Sequence, residues 1–189
     1  MKSLVITAFF ICGCAFSQTT VFLKGGEKLV ASDFLVKPAS KKVEFRANGR
    51  DHLVKFADFD SATTDKKVLK KFAIGKKARL FYVLAQSKNR TLGVSSTKRV
   101  QERGGFSGVV TRYEVAVIED GKILKELSFT ESKTKSEIEK RGQFFEIVNQ
   151  YFQDCTDFKN KVDLFRSSQD DTNSIVLNIL DNPEKTSCK

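Results

Sequence analysis

The chain has 189 residues and a formal charge of +10, from 33 Lys and Arg against 23 Asp and Glu. This length accommodates one domain and excludes a large multidomain enzyme. The single histidine, His52, excludes a metal site with several histidine ligands. Apolar residues make up 40% of the chain, which is enough for a packed core and too many for a disordered protein.

The first seventeen residues have the pattern of a secretory signal peptide. Lys2 gives a basic start, residues 4–12 form an apolar run, and small residues, Ala15 and Ser17, precede Gln18. The ending before Gln18 resembles those of secreted proteins from Bacteroidota. The apolar run is about half as long as a membrane-spanning helix requires. We therefore expect cleavage after Ser17 and an exported protein of the bacterial envelope or secretome.

A lipoprotein signal is the alternative for the same segment. Ile11-Cys12-Gly13-Cys14 resembles a lipobox, in which Cys14 would carry the lipid. Both alternatives place the protein in the periplasm, at the outer-membrane surface or outside the cell. No later segment is long and apolar enough to predict a transmembrane span.

Cleavage after Ser17 would leave 172 residues, a charge of +9 and two cysteines, Cys155 and Cys188. An even pair in an exported chain predicts one disulfide. In the chain-entropy model, a bridge that closes the loop from Cys155 to Cys188 stabilises the fold by about 3 kcal/mol. Two buried free thiols are the alternative.

The mature chain, residues 18–189, is predicted to form a single α+β domain. Alternating apolar and polar residues over 19–130 predict a curved antiparallel β-meander of about eight strands, half-barrel or barrel-like. Helical spacing of apolar residues over 134–182 predicts two or three C-terminal helices.

Three turns define the predicted hairpins. Asn48-Gly49 has the residues of a type I′ turn and sets Arg46 opposite Asp51. Gly25-Gly26 predicts a two-residue turn that sets Phe22 opposite Leu29. A three-residue loop over 119–121 would align one face of the last hairpin, which carries Tyr113, Val115 and Val117 on one strand and Ile123, Leu127 and Phe129 on the other.

One loop and the starts of the helices complete the expected outline. Residues 98–107 are predicted to form an exposed loop. Thr134-Lys135-Ser136-Glu137 is a capping-box pattern that predicts a helix start. Further helices are expected after Thr156 and after residues 170–173, and the last should end before Pro183.

One dense cluster of basic residues lies between the predicted strands. Asp65 and Gly75 are suitable start and end residues for a short basic amphipathic helix. Such a helix can contact an anionic envelope component, for example a lipid headgroup or glycan, or can be a solvated face packed on the sheet. A strand is a further alternative. The cluster comprises Lys66, Lys67, Lys70, Lys71, Lys76, Lys77 and Arg79.

Nucleic acid is not an expected partner, because the remaining basic residues are spread along the chain and no aromatic RNA-binding motif is present. No catalytic, cofactor-binding or metal-binding residue is assigned. His52 follows Asp51, but neighbouring strand residues face opposite ways, so Asp51 cannot readily orient it. The pair Asp58 and Asp60 fits a turn, although a carboxylate-dependent hydrolase remains an alternative.

Fourteen phenylalanines in the mature chain can fill a core or line a cavity. A meander followed by a helix and a disulfide resembles the calycin-like ligand carriers in outline. That resemblance implies a barrel around a small apolar or lipidic ligand, although a chain without Trp cannot contain the Gly-x-Trp motif of lipocalins. The leading expectation is a non-enzymatic binding or accessory protein, and a carrier of an apolar ligand is the first alternative.

Overall fold

The computed structural model describes residues 18–103, 106–166 and 171–188. The predicted signal peptide, with Cys14, lies outside these ranges, as does Gly104-Gly105. Within them ten strands are followed by three helices and a last short strand that joins the same sheet, which confirms the predicted α+β class. Every strand pair is antiparallel except the one made by the last, two-residue strand.

The strands are β1 Thr19–Leu23, β2 Lys28–Lys37, β3 Lys42–Ala47, β4 Arg50–Lys55, β5 Phe59–Thr63, β6 Val68–Ile74, β7 Lys77–Ser87, β8 Arg90–Arg103, β9 Phe106–Glu119, β10 Lys122–Thr130 and β11 Thr186–Ser187. The helices are α1 Lys135–Tyr151, α2 Thr156–Arg166 and α3 Ser174–Asp181. The strand order is β10-β9-β8-β7-β6-β5-β1-β2-β3-β4, and β11 pairs with β7. Because β4 and β10 lie at opposite ends of this order, the described strands form an open sheet and not a closed barrel.

The Asn48-Gly49 hairpin has the predicted register. Asn48 and Gly49 have φ angles of 51° and 73°, as a type I′ turn requires. Arg46 lies opposite Asp51, and its Nε donates to Oδ1 at 2.8 Å. The residues of the turn therefore predicted the register of this hairpin correctly.

The register predicted for the first hairpin is wrong by one residue. Val21 lies opposite Leu29, and Phe22 lies opposite Lys28. The turn contains an additional residue, because the Leu23 amide donates to the Glu27 carbonyl at 2.9 Å. The observed register places Val21 fully in the core, so burial on one face decides the pairing.

The stretch before the basic cluster forms a strand that turn chemistry did not predict. Asp58 and Asp60 were expected to lie in a turn, yet β5 begins at Phe59 and buries Phe59 and Ala62. β5 pairs with β1, which joins the β1–β4 meander to the β5–β10 meander.

The predicted basic helix is also replaced by strands. Residues 68–74 form β6, and Gly75-Lys76 turn the chain into β7. Leu69 faces one core cluster, whereas Phe72 and Ile74 pack with Phe81 on the other side. A strand can bury apolar side chains on both faces of the sheet, whereas a helix with one apolar stripe can bury them on one side only.

The last two hairpins are longer than predicted. Residues 98–103 and 106–107, expected in an exposed loop, belong to β8 and β9. The turn between β9 and β10 has two residues, Asp120-Gly121, and a bulge between Ile123 and Lys125 restores the predicted alignment of Leu127 and Phe129. Ile123 instead lies opposite Ile118 on the other face.

The helices cover one face of the sheet around β7–β10. Their buried apolar residues share a core with that face, at Phe144, Phe145, Ile147, Val148, Phe152, Phe158, Val162, Val176, Ile179 and Leu180. All three helices begin where the sequence predicts. Helical spacing places Phe165 on the same apolar side of α2 as Phe158 and Val162, but its side chain is outside the described part of the chain.

The start of α1 is stabilised differently from the capping box that the sequence predicts. Thr134 makes no side-chain capping hydrogen bond. Glu137 instead accepts from the Thr130 amide and from Lys140 Nζ, the latter at 2.6 Å. The side chain at the predicted capping position therefore fixes the β10–α1 connection.

Arg141 was not singled out by the sequence, and it is the largest fully buried side chain in the described ranges. Its Nη1 donates to the carbonyls of Thr130 and Ser132 at 2.9 and 2.8 Å, and its Nη2 to the Thr172 carbonyl at 2.8 Å. One guanidinium thus joins the end of β10 to the start of α3. Its position between Ile138 and Phe145 on an apolar helical stripe was the available signal.

The predicted disulfide between Cys155 and Cys188 is present, with the two Cα atoms 4.5 Å apart. It holds the C-terminal segment beside β7, where the Cys188 amide donates to the Gln86 carbonyl at 3.1 Å. No helix in the described ranges is long and apolar enough to cross a membrane.

Candidate ligand-binding cleft

A cleft opens where β7 and β8 separate. The two strands pair from Ser87 and Arg90 to Tyr82 and Val94. Beyond that pair, residues 77–81 of β7 pair with β6, and residues 95–103 of β8 pair with β9. The described chain places no strand between these two diverging segments.

Gly93 lies beside the point of separation. A Cβ atom at Gly93 would be 2.7 Å from the Phe81 Cβ, a distance that real Cβ atoms do not show. Glycine at this position therefore permits the close approach of Phe81 to β8.

The cleft has a volume of about 780 Å³ and is lined on one side by a bent part of β2. Asp33 has a φ of 54°, and the β2–β3 register shifts between Ser32 and Leu35, so β2 has a bulge next to the residues that line the cleft. The apolar walls are formed by Phe34, Leu35, Val36, Pro38, Phe56, Leu69, Ala78, Leu80 and Tyr82. Burial raises the pKa of the Tyr82 hydroxyl above its usual value, so this group stays neutral.

Four charged residues line the cleft, and they divide into a paired and an unpaired set. Arg79 Nη2 donates to Glu114 at 2.9 Å and to Glu126 at 2.6 Å. Burial disfavours its charge, but the two carboxylates outweigh that and raise the pKa of Arg79. Lys41 and Lys98 are exposed and form no ion pair within the described ranges. Among the described residues, these two cations of the cleft have no acidic partner.

The end of α3 lies beside the cleft and is hydrogen-bonded to the sheet. A small pocket of about 130 Å³ lies between Tyr82, Asp181 and Pro183. The Tyr113 hydroxyl donates to Asp181 Oδ1 at 2.7 Å. Burial and the hydrogen bond to Asp181 both raise the pKa of Tyr113, so its hydroxyl stays protonated and able to donate at neutral pH.

The predicted basic cluster does not form one continuous face. Lys70 and Lys71 are adjacent in β6 and therefore point to opposite sides of the sheet. Lys66 lies 3.6 Å from Glu184, and Arg79 belongs to the ion-pair network described above. Lys67 borders the small pocket, whereas Lys76 and Lys77 lie at the β6–β7 turn. Contact of these residues with an anionic surface stays a prediction.

The residues considered for catalysis are dispersed. His52 stacks on Phe45 with ring centroids 5.0 Å apart. Asp58 and Asp60 are exposed at the start of β5. Asp154 accepts a hydrogen bond from Ser87, which lowers the pKa of its carboxyl group. None of these residues lines the large cleft, where Glu114 is the one carboxylate among the described lining residues.

Metal binding has no candidate site in the part of the chain that the structure describes. No group of three or more His, Cys, Asp or Glu side chains there is arranged to hold a metal ion.

Comparisons with known proteins give no relative for this chain. No protein-family model matches the sequence, and neither a curated protein nor a solved structure is significantly similar to it.

Proposed function

We propose that the protein is a non-enzymatic binding protein that takes an apolar ligand carrying negative charge into the cleft between β7 and β8. The observation that carries this proposal is the composition of the cleft. Its walls are apolar, and the two charged lining side chains without an ion pair in the described part of the chain, Lys41 and Lys98, are both cations.

The size of the cleft supports a ligand of moderate dimensions. Ligand pockets commonly measure about 300–1,000 Å³, and the cleft of about 780 Å³ lies in that range. Each 100 Å² of apolar surface that leaves water on binding contributes roughly 2.5 kcal/mol before the entropy losses of association. The walls therefore supply affinity, and the two lysines favour an anion.

Export is part of the same proposal. Residues 1–17 have the signal-peptide pattern, and the Cys155–Cys188 bridge suits an oxidising compartment. The carrier hypothesis is retained in a modified form, since an open cleft replaces the closed calycin-like barrel. The hydrolase alternative gains no support from the cleft, because Glu114 is already engaged by Arg79.

A fluorescent probe with an apolar body and one negative charge, 1-anilinonaphthalene-8-sulfonate, tests the proposal. We expect saturable binding to one site per chain. Ser96→Trp should weaken it, because Ser96 is an exposed residue of the cleft and a bulky indole there would obstruct part of the space. Ser32→Trp is the matched control, an exposed strand serine outside the cleft. Equal probe binding by the two variants would contradict the proposal.

Charge is tested separately by Lys41→Gln combined with Lys98→Gln. We expect probe binding to weaken by about three- to tenfold, and by less at high salt, because both groups are exposed and screened. Lys55→Gln with Lys125→Gln removes the same charge from exposed residues elsewhere and should leave affinity nearly unchanged. An equal loss in both double variants would show that net charge alone attracts the probe.

A further inference from the structure

We propose that the natural ligand of the cleft is an extended polypeptide segment that adds to the free edge of β8 as a new strand. This inference rests on the proposed binding function and specifies its ligand. The segment would carry apolar side chains at alternate positions and an acidic residue at an end of the same row.

The directions of the main-chain groups of β9 follow from one contact at its edge with β10. The Glu131 amide donates to the Thr111 carbonyl at 3.3 Å, so the polar main-chain groups of Thr111 face β10. These groups alternate in direction along a strand, and the β8–β9 pairing has no register shift. Arg112 and Glu114 therefore face β8.

The same alternation extends to β8 and β7. Thr97 and Ser95 lie opposite Arg112 and Glu114, so their main-chain groups bond to β9. The main-chain groups of Ser96 and Lys98 must then point away from β9, into the cleft. On β7 the pairing of Tyr82 with Val94 similarly directs Leu80 towards the cleft.

No described strand pairs with Ser96 and Lys98 on the cleft side. Unpaired strand edges are templates for strand addition, and many proteins bind peptides in this way. Residues 95–100 offer an edge of about 20 Å, enough for five or six residues of an added strand. A hydrocarbon chain could fill the same space but would leave these amides and carbonyls without partners, which is unfavourable away from water.

The surroundings of the edge determine the side chains that the added strand should carry. Side chains on one face of that strand would contact Leu80, Tyr82 and the Phe34 region across the cleft. Lys98 lies two residues after Ser96 on β8, so its side chain is on the same face of the sheet as Leu80 and Tyr82 and favours a carboxylate on that face. A segment with apolar side chains at alternate positions, and a carboxylate at an end of the same row, satisfies both requirements.

Amide hydrogen exchange measured by NMR on the full mature chain tests the inference. The probe is a synthetic acetylated and amidated peptide of sequence Glu-Thr-Val-Thr-Leu-Thr-Glu, whose valine, leucine and glutamate side chains share one face of a strand. We expect saturating peptide to slow exchange at Ser96 and Lys98 by at least tenfold. The amides of Ser95 and Thr97, already bonded to β9, should change little. A peptide that binds without slowing Ser96 and Lys98 would overturn strand addition.

Two further arms separate failure of this inference from failure of the binding function. The same peptide with N-methyl groups on its valine and leucine residues should bind at least tenfold more weakly, because methylation blocks pairing along that edge. An unchanged affinity would contradict the inference. Oleate binding in the cleft with no peptide binding would overturn the peptide inference and leave the binding function intact, whereas binding of neither would contradict both.

A proline substitution checks the direction of the main chain independently. Ser96→Pro removes an amide hydrogen that faces no strand, so the fold should persist while peptide affinity falls and anilinonaphthalene binding remains. Thr97→Pro removes an amide bonded to β9 and should lower thermal stability much more. Equal destabilisation by the two substitutions, or full peptide affinity in Ser96→Pro, would contradict the assignment.

Discussion

Tyr82 on β7 and Val94 on β8 form the last residue pair before these two strands separate. On one side of this pair the two strands form a ladder that contains one register shift, between Val83 and Ala85. On the other side β7 pairs with β6 and β8 pairs with β9. The cleft therefore forms because two strands of one sheet diverge. This divergence exposes the apolar wall of the cleft and also main-chain groups of β8 that pair with no described strand.

The close contact at the point of divergence predicts the effect of Gly93→Ala. The added methyl group would meet the Phe81 Cβ at 2.7 Å, and neither strand can move without disturbing its ladder. We expect the free energy of unfolding to fall by about 1–3 kcal/mol in urea titrations. Gly108→Ala, where nothing lies within 4 Å of the new atom, should change it by less than about 0.5 kcal/mol. Equal effects would contradict the packing described at Gly93.

The bridge between Cys155 and Cys188 predicts a measurable gain in stability. Replacing both cysteines by alanine should lower the free energy of unfolding by about 3 kcal/mol, since the bridge closes a loop with a sequence separation of 33. Intact-mass measurement of the native protein should give a value about 2 Da below the reduced chain. Labelling of both cysteines by iodoacetamide without denaturant would contradict the bridge.

The buried guanidinium of Arg141 predicts a larger loss. Arg141→Met would leave the carbonyls of Thr130, Ser132 and Thr172 without these donors inside the fold. We expect a loss of about 3 kcal/mol or more in chemical unfolding. Arg112→Met, at a half-exposed arginine 3.9 Å from Glu114, should cost at most about 1 kcal/mol. A small effect at Arg141 would show that water or a rearranged loop satisfies those carbonyls.

Glu137 predicts a specific dependence of stability on pH. Burial disfavours its charge, but Lys140 and the Thr130 amide outweigh burial and lower the pKa of the carboxyl group. A group with a lowered folded-state pKa stabilises the fold above its unfolded pKa, and that contribution disappears as pH falls through the folded value.

Glu137→Gln should therefore lower the free energy of unfolding by about 1–2 kcal/mol at pH 7. Urea titrations of both proteins should show this difference shrinking below about pH 4, where the wild-type carboxyl group becomes protonated. Glu139→Gln, an exposed carboxylate 4.0 Å from Lys135, is the control and should have little effect. A difference that stays constant from pH 7 to pH 3 would contradict the role of the Glu137 charge.

Features governed by neighbouring residues could be predicted from the sequence. The Asn48-Gly49 turn fixes two φ angles locally, and its hairpin register followed directly. The pairing of Cys155 with Cys188 followed because the predicted mature chain contains no other cysteine.

Features governed by distant partners could not be predicted. Val68, Leu69 and Phe72 fit one side of a helix as well as two faces of a strand, and pairing with β7 decided between these possibilities. The cleft depends on distant partners even more than β6 does. Its walls come from β2, β6, β7 and β8, and no segment alone indicates that Tyr82 and Val94 end the pairing of β7 with β8.

The most direct test of the central claim maps where a bound ligand lies. Isotope-labelled mature protein would be titrated with 1-anilinonaphthalene-8-sulfonate, and amide chemical shifts would be followed by NMR. We predict saturable shifts concentrated at residues that line the cleft, including Val36, Leu80, Ser96 and Lys98, with the β3–β4 turn unaffected. Shifts that are absent, or that cluster on a surface away from the junction of β7 and β8, would contradict the assignment of the cleft as the binding site.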